Sequence, residues 1–125
     1  LVFEKSCDQT NNCQTKKIKS KLEGELKLAI LKKAALFLGS DSANMHMAVA
    51  ANIPTIGLFG PTNEKLYGPL GKNNLSLRGD KSFSEIVNQL DYKSGKIKSY
   101  LDNLSVTKVH KEIERILESK WLLQI

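Results

Sequence analysis

The sequence predicts an α/β domain: a parallel sheet covered by helices on both faces. Three observations carry this. Helical and strand-like segments alternate between residues 23 and 59. The strand-like segments, Ala35–Gly39 and Thr55–Phe59, are apolar without alternation, which suits strands buried on both sides. From Ala34 to Asn63 the only charged residue is Asp41, as expected of a domain interior. Successive parallel strands joined through helices imply right-handed crossovers.

Each element has its own reason. Residues 1–20 are polar and Lys-rich, with Asn11-Asn12, and read as a strand or loop fragment. Glu23 to Ala34 reads as an amphipathic helix with Leu26, Ala29, Ile30 and Lys33 at helical spacing. Ala35–Gly39 is the first buried strand. Ser42 to Ala51 is Ala-rich and places Met45, Ala48 and Val49 on one helical face. Asn52-Ile53-Pro54 stops it, because the residue before proline avoids the helical region. Thr55–Phe59 is the second buried strand, and Gly60-Pro61-Thr62-Asn63 turns the chain. Leu75–Leu77 reads as a short third strand and Ser82–Leu90 as a helix. Tyr92 to Asn103 is polar and reads as a loop or weak helix. Ser105 to Ser119 is a terminal helix, capped by Ser105, with Val106, Val109, Ile113, Ile116 and Leu117 on one face.

A chain of 125 residues fits one domain, and its 41% hydrophobic and 26% charged fractions are those of an ordinary globular protein. These values exclude a collagen-like repeat, a largely disordered chain and a membrane bundle. The first residue is Leu, so a fragment or processed product is expected. Glu4 and Lys5 follow Leu1-Val2-Phe3 at once and leave no room for a signal peptide's apolar segment. Cys7 and Cys13 are too few for a disulfide scaffold, and their spacing fits no zinc pattern; two free thiols in a reduced cytosol are expected.

The net charge of +6 invites a nucleic-acid partner. Aromatic residues are only 6%, however, and no zinc pattern or recognition helix accompanies the charge. Residues 34–71 carry one Lys and two acidic residues, so the lysines lie on the flanks. No nucleic-acid partner is expected.

In open parallel sheets, ligands bind at the C-terminal strand ends, beside the N-termini of the following helices. Two such ends are legible: Gly39-Ser40-Asp41-Ser42-Ala43-Asn44-Met45-His46 and Phe59-Gly60-Pro61-Thr62-Asn63. First-turn amides lack helical partners and carry partial positive charge, so a phosphate is a natural guest. Ser42 can donate a hydroxyl and His46 a ring N–H. Asp41 would repel phosphate but can accept from sugar hydroxyls. The plainer readings are an Asp or Ser that only caps a helix, a structural His, a simple Gly-Pro turn, and Met45 and Met47 as core fillers. Two such ends within one uncharged interior favour a site.

Ala34 to Gly71 resembles the signature of glycosyltransferase family 9, the lipopolysaccharide heptosyltransferases. That signature is an apolar strand, D-[ST]-G-x-x-H-x-A-x-A, a short gap, then I-P-x-x-x-L-F-G-P-T. Asp41, Ser42, Met45, His46, Ala48, Ala50, Pro54, Leu58, Phe59, Gly60, Pro61 and Thr62 fall in register with it. The resemblance covers about residues 20–120, most strongly 34–71.

The resemblance implies a Rossmann-like domain over residues 1–125, the C-terminal half of a two-domain GT-B fold. Asp41, Ser42, Ala43, Asn44, Met45 and His46, with Gly60, Pro61 and Thr62, would hold the sugar and diphosphate of the donor, ADP-heptose or another nucleotide sugar. The reaction would invert the anomeric centre. The acceptor, lipid-linked or a lipopolysaccharide core, would bind an absent N-terminal domain that also supplies the carboxylate base. No catalytic residue, cofactor or metal is then expected in this chain. The implied location is the cytoplasm, at the inner face of the inner membrane, with peripheral membrane association. Ala43 stands where the family has Gly, and residues 1–20 do not match the family's base- and ribose-binding region. Those departures keep open a second reading: a non-catalytic remnant or interaction domain that retains the fold.

Overall fold

The computed structural model describes residues 3–7, 13–17, 24–89, 94–95, 100–101 and 103–122, with backbone alone for 3–7, 13–17 and 120–122. Two strands open the chain, β1 (Phe3–Cys7) and β2 (Cys13–Lys17), and form an antiparallel hairpin. The strand or loop expected at residues 1–20 is thus a hairpin where it is described. Its register sets Cys7 opposite Cys13; the state of the two thiols lies outside the described side chains.

Helix α1 (Gly24–Leu31) leads to β3 (Phe37–Ser40), α2 (Ala43–Ala50) and β4 (Thr55–Phe59). A single turn, α3 (Glu64–Tyr67), precedes β5 (Asn74–Arg78), followed by α4 (Phe83–Val87) and α5 (Val106–Leu122). Strands β3, β4 and β5 form a parallel sheet in that order, with Ser40 opposite Leu58 and Phe59 opposite Arg78. This is the expected α/β, Rossmann-like architecture. The expected loop or weak helix at Tyr92–Asn103 falls largely outside the described residues, as does Leu90.

Successive strand residues face opposite sides of a sheet, and two hydrophobic clusters follow from that. On one side Phe37 and Phe59 pack with Leu31, Met45, Ala48 and Ile53 from the α1 and α2 region. On the other, Ile56 and Leu77 pack with Ile116 of α5, joined by Leu38, Leu58, Val109 and Ile113. Helices therefore cover both faces, as the even apolarity of the strands predicts.

Two helical faces differ from expectation. Leu26 is 50% exposed and Ala29 is exposed, while Leu31 is buried. The buried edge of α1 is thus its C-terminal end, where the chain turns into β3. Val106 is 83% exposed. It occupies the first turn of α5, and the buried stripe begins one turn later at Val109.

The end of α2 has a sharper cause than proline. Asn52 adopts φ 58° and is the only non-glycine described residue with positive φ. The Asn52 N–H donates to Val49 O at 2.9 Å and the Ile53 N–H to Ala48 O at 3.0 Å. This is a Schellman closure, with Asn in the left-handed position usually given to Gly. Ser82 and Glu85 form a reciprocal capping box on α4 (2.7 and 3.2 Å), and its hydrogen bonds hold the Glu85 carboxyl below its ordinary range.

Gly57, in the middle of β4, sets how closely α2 approaches the sheet. A Cβ at this position would sit 2.7 Å from both Met45 Sδ and a ring carbon of Phe59. Met45 and Phe59 thus meet over a backbone that only Gly provides. Because Met45 lies in the first turn of α2, this contact fixes where that helix begins.

Candidate functional site

The register brings the two sequence-predicted ends together. β3 and β4 are neighbours and parallel, so the segment after Ser40 lies beside the segment after Phe59. β5 flanks β4 on its other side. Asp41 and Ser42 therefore border the Gly60–Asn63 loop on one side, and Arg78 borders it on the other.

Ser42 is the N-cap of α2, in extended conformation. Its Oγ accepts from Met45 N at 3.4 Å, longer than an ordinary hydrogen bond, so the cap is weak. Met45 N and His46 N also reach Ser42 O, at 3.1 and 3.3 Å. The amides of Ala43 and Asn44 have no partner among the described residues. Two donors at a helix N-terminus thus remain to be satisfied. Ala43 keeps ordinary negative φ, so no left-handed backbone calls for Gly there.

His46 Nε2 lies 3.7 Å from Asp41 Oδ1, within ion-pair range and beyond hydrogen-bond range. The imidazole is 53% exposed and the carboxylate 21%. Asp41 is thus the more enclosed of the pair, and the lone carboxylate of the apolar stretch has His46 as its neighbour. The Met45 side chain is fully buried. Of this predicted site residue, only the backbone lies at the strand end.

On the second end, Gly60 is buried and a Cβ there would meet Tyr100 Cβ at 2.7 Å. Asn63 Oδ1 accepts from Lys65 N at 3.0 Å and caps α3. Two residues beyond the predicted set hold the loop. Arg78 Nη1 donates to Gly60 O at 2.5 Å, and Nη2 donates to Thr62 O at 2.6 Å and to Glu64 Oε2 at 2.5 Å. A parallel strand extended one residue past Leu77 would have placed Arg78 at this end; the apolar pattern alone stops short of it. A cavity of about 190 Å³, lined in part by Asn52, Pro54, Asn74 and Arg115, lies at the opposite end of the strands.

The hydrogen bond from Arg78 holds the Glu64 carboxyl below its ordinary range, against the opposing effect of burial. A lowered folded value means the pair adds stability above the ordinary value of 4.5. That addition is lost as pH falls through the lower folded value. The stability difference between the protein and its Glu64→Gln variant, from urea denaturation, is therefore expected to be widest at neutral pH. It should narrow as pH falls below the ordinary carboxylate range. A difference that stays constant as pH falls would contradict the ion pair.

The family model of glycosyltransferase family 9 (heptosyltransferase) matches residues 4–94. The chain belongs to glycosyltransferase family 9. The match takes in residues 4–20, which carry none of the signature, and ends before α5. Among curated proteins, this family 9 chain is 44% identical over 45 residues to lipopolysaccharide heptosyltransferase 3 of Escherichia coli. It is 38% identical over 65 residues to lipopolysaccharide heptosyltransferase 3 of Escherichia coli strain K12. The matched stretches cover 36% and 49% of this chain but 13% and 19% of those proteins. No solved structure gives a significant match. Among the described residues, no helix is long and apolar enough to cross a membrane.

Proposed function

We propose that this family 9 chain is a C-terminal donor-binding domain of a heptosyltransferase-like, inverting glycosyltransferase acting in lipopolysaccharide core synthesis. The observation that carries this reading is the start of α2. Two amides without a partner among the described residues, at Ala43 and Asn44, stand beside a loosely engaged Ser42 hydroxyl and the exposed His46 ring. The names of the matched E. coli proteins supply the sugar class.

In this reading, the α2 N-terminus and His46 take the diphosphate of a nucleotide sugar such as ADP-heptose. Asp41 accepts from hydroxyls of the sugar, and the Gly60-Pro61-Thr62 loop closes the other side. The acceptor hydroxyl attacks the anomeric carbon in line, the C–O bond to the diphosphate breaks, and the configuration inverts. The hydroxyl proton goes to a carboxylate base of an acceptor-binding domain. The helix terminus stabilises the charge growing on the leaving diphosphate, as preorganised donors do for an oxyanion. The acceptor, a lipid-linked or lipopolysaccharide core sugar, places the reaction at the inner face of the inner membrane. Clustered lysines outside residues 34–71 favour an anionic surface there.

A ¹H–¹⁵N NMR titration with ADP, UDP and ADP-heptose tests the donor site. The expected result is a saturable shift of the Ser42, Ala43 and His46 amides with at least one of them. Unmoved amides with all three would overturn the reading.

A further inference from the structure

The reading above assigns no role to Arg78, yet its guanidinium gathers more of the loop than any other described side chain. Arg78 ends β5, opposite Phe59. Its fork reaches across the end of β4 to Gly60 O, Thr62 O and the Glu64 carboxylate. The side chain is 11% exposed, and its Nε is buried with no partner among the described residues. Lys108 of α5 donates to Arg78 O at 2.8 Å, which ties down the backbone from which the fork extends.

Stability alone accounts poorly for this arrangement. An ion pair whose carboxylate is 31% exposed adds only modest stability, and burying the guanidinium costs desolvation. An unsatisfied buried donor adds a further cost. What the guanidinium supplies is direction. It turns two carbonyl oxygens of one loop, those of Gly60 and Thr62, towards a single plane. No cis peptide bond is present among the described residues, so each N–H points opposite its C=O. Holding Thr62 O against Arg78 therefore turns the Asn63 N–H away from Arg78. The Gly60–Pro61 peptide has no N–H, so towards an anion it could offer only a repelling carbonyl. The fork draws that carbonyl aside. Lysine is a point charge and cannot hold three acceptors in this geometry.

We propose that Arg78 is a positioning residue for the donor diphosphate, keeping the Gly60 and Thr62 carbonyls away from the anion and fixing the loop that borders it. The proposal rests on the donor-site reading and adds to it the residue that sets the loop's electrostatic face. Arg78 does not touch the ligand; it acts through the peptide groups it holds.

The test compares the protein with its Arg78→Lys variant in two ways. In ligand-free ¹H–¹⁵N spectra, the Gly60, Thr62 and Asn63–Glu64 region of the variant is expected to shift while α5 stays in place. In calorimetry with ADP and UDP, each set against its own nucleoside, diphosphate affinity is expected to fall about tenfold, the scale of a lost charge-assisted contact. Nucleoside affinity should stay within about twofold, since a base and ribose do not meet those carbonyls. A merely structural Arg78 would lower the melting temperature without this split. If the native protein binds neither diphosphate, the donor-site reading falls and the proposal with it. If the native protein binds and the variant binds diphosphate equally well, or loses diphosphate and nucleoside alike, only the role of Arg78 is overturned. Should the lysine variant fail to fold, Glu64→Gln loosens Nη2 from its carboxylate and is expected to show the same split at smaller amplitude. An even loss, or none, in that variant would overturn the proposal.

Discussion

Replacing Phe59 by alanine is expected to remove about 3–5 kcal/mol of stability, the usual cost of emptying a buried aromatic site. A domain of this size has only about 5–15 kcal/mol in total, so the variant should stand close to unfolding at room temperature. Phe59 is 1% exposed and belongs to the cluster that joins the α1 and α2 region to the sheet. Its ring meets Met45 over Gly57. The first turn of α2 would therefore lose its anchor along with the core. Urea denaturation gives the measurement. A loss below about 1.5 kcal/mol would mean that neighbouring side chains collapse into the space, contrary to the close packing described.

Filling the same contact from the opposite side should cost nearly as much. Gly57→Val places a Cβ where Met45 Sδ and the Phe59 ring already lie 2.7 Å away, with two further methyl groups beyond it. Overpacking of a well-packed core costs about 1–3 kcal/mol, and the upper end of that range is expected because both neighbours are buried. The double variant Gly57→Val with Met45→Ala is the decisive measurement. Truncating Met45 makes room for the new methyls, so the double variant should be more stable than the sum of the two single losses by at least about 1 kcal/mol. Strict additivity would show that Gly57 is required for some reason other than the seat of Met45.

The sheet was legible in the sequence because its strands announce themselves twice. Thr55–Phe59 is apolar throughout and bounded by Pro54 and Gly60, and it matches β4 residue for residue. The β3 strand starts two residues later than the apolar run suggests, because Phe37 N pairs with Pro54 O (2.8 Å) and sets the start of the ladder. The Asp41, Ser42 and His46 end was legible for the same reason as the strand before it: a lone carboxylate and a lone histidine stand out in an uncharged stretch. Arg78 was not legible. It is one cation among nineteen, and only the register of β5 against β4 brings it to the Gly60 carbonyl. The one-turn helix α3 was not legible either. Its cap, Asn63, is also a turn residue, and four residues are too few to show a period.

The order β3–β4–β5 puts the strand that ends in the Gly60–Asn63 loop in the centre of the sheet. Both edges of β4 are hydrogen-bonded to neighbours, whereas the loop beyond it hangs from Arg78 and from contact with Tyr100. Opening free energy is high where backbone bonds and apolar burial coincide and low where few contacts must break. Phe59 thus marks the boundary between backbone held by ladder bonds and backbone held by a single side chain. Releasing the loop would break the Arg78 fork and no strand-to-strand bond.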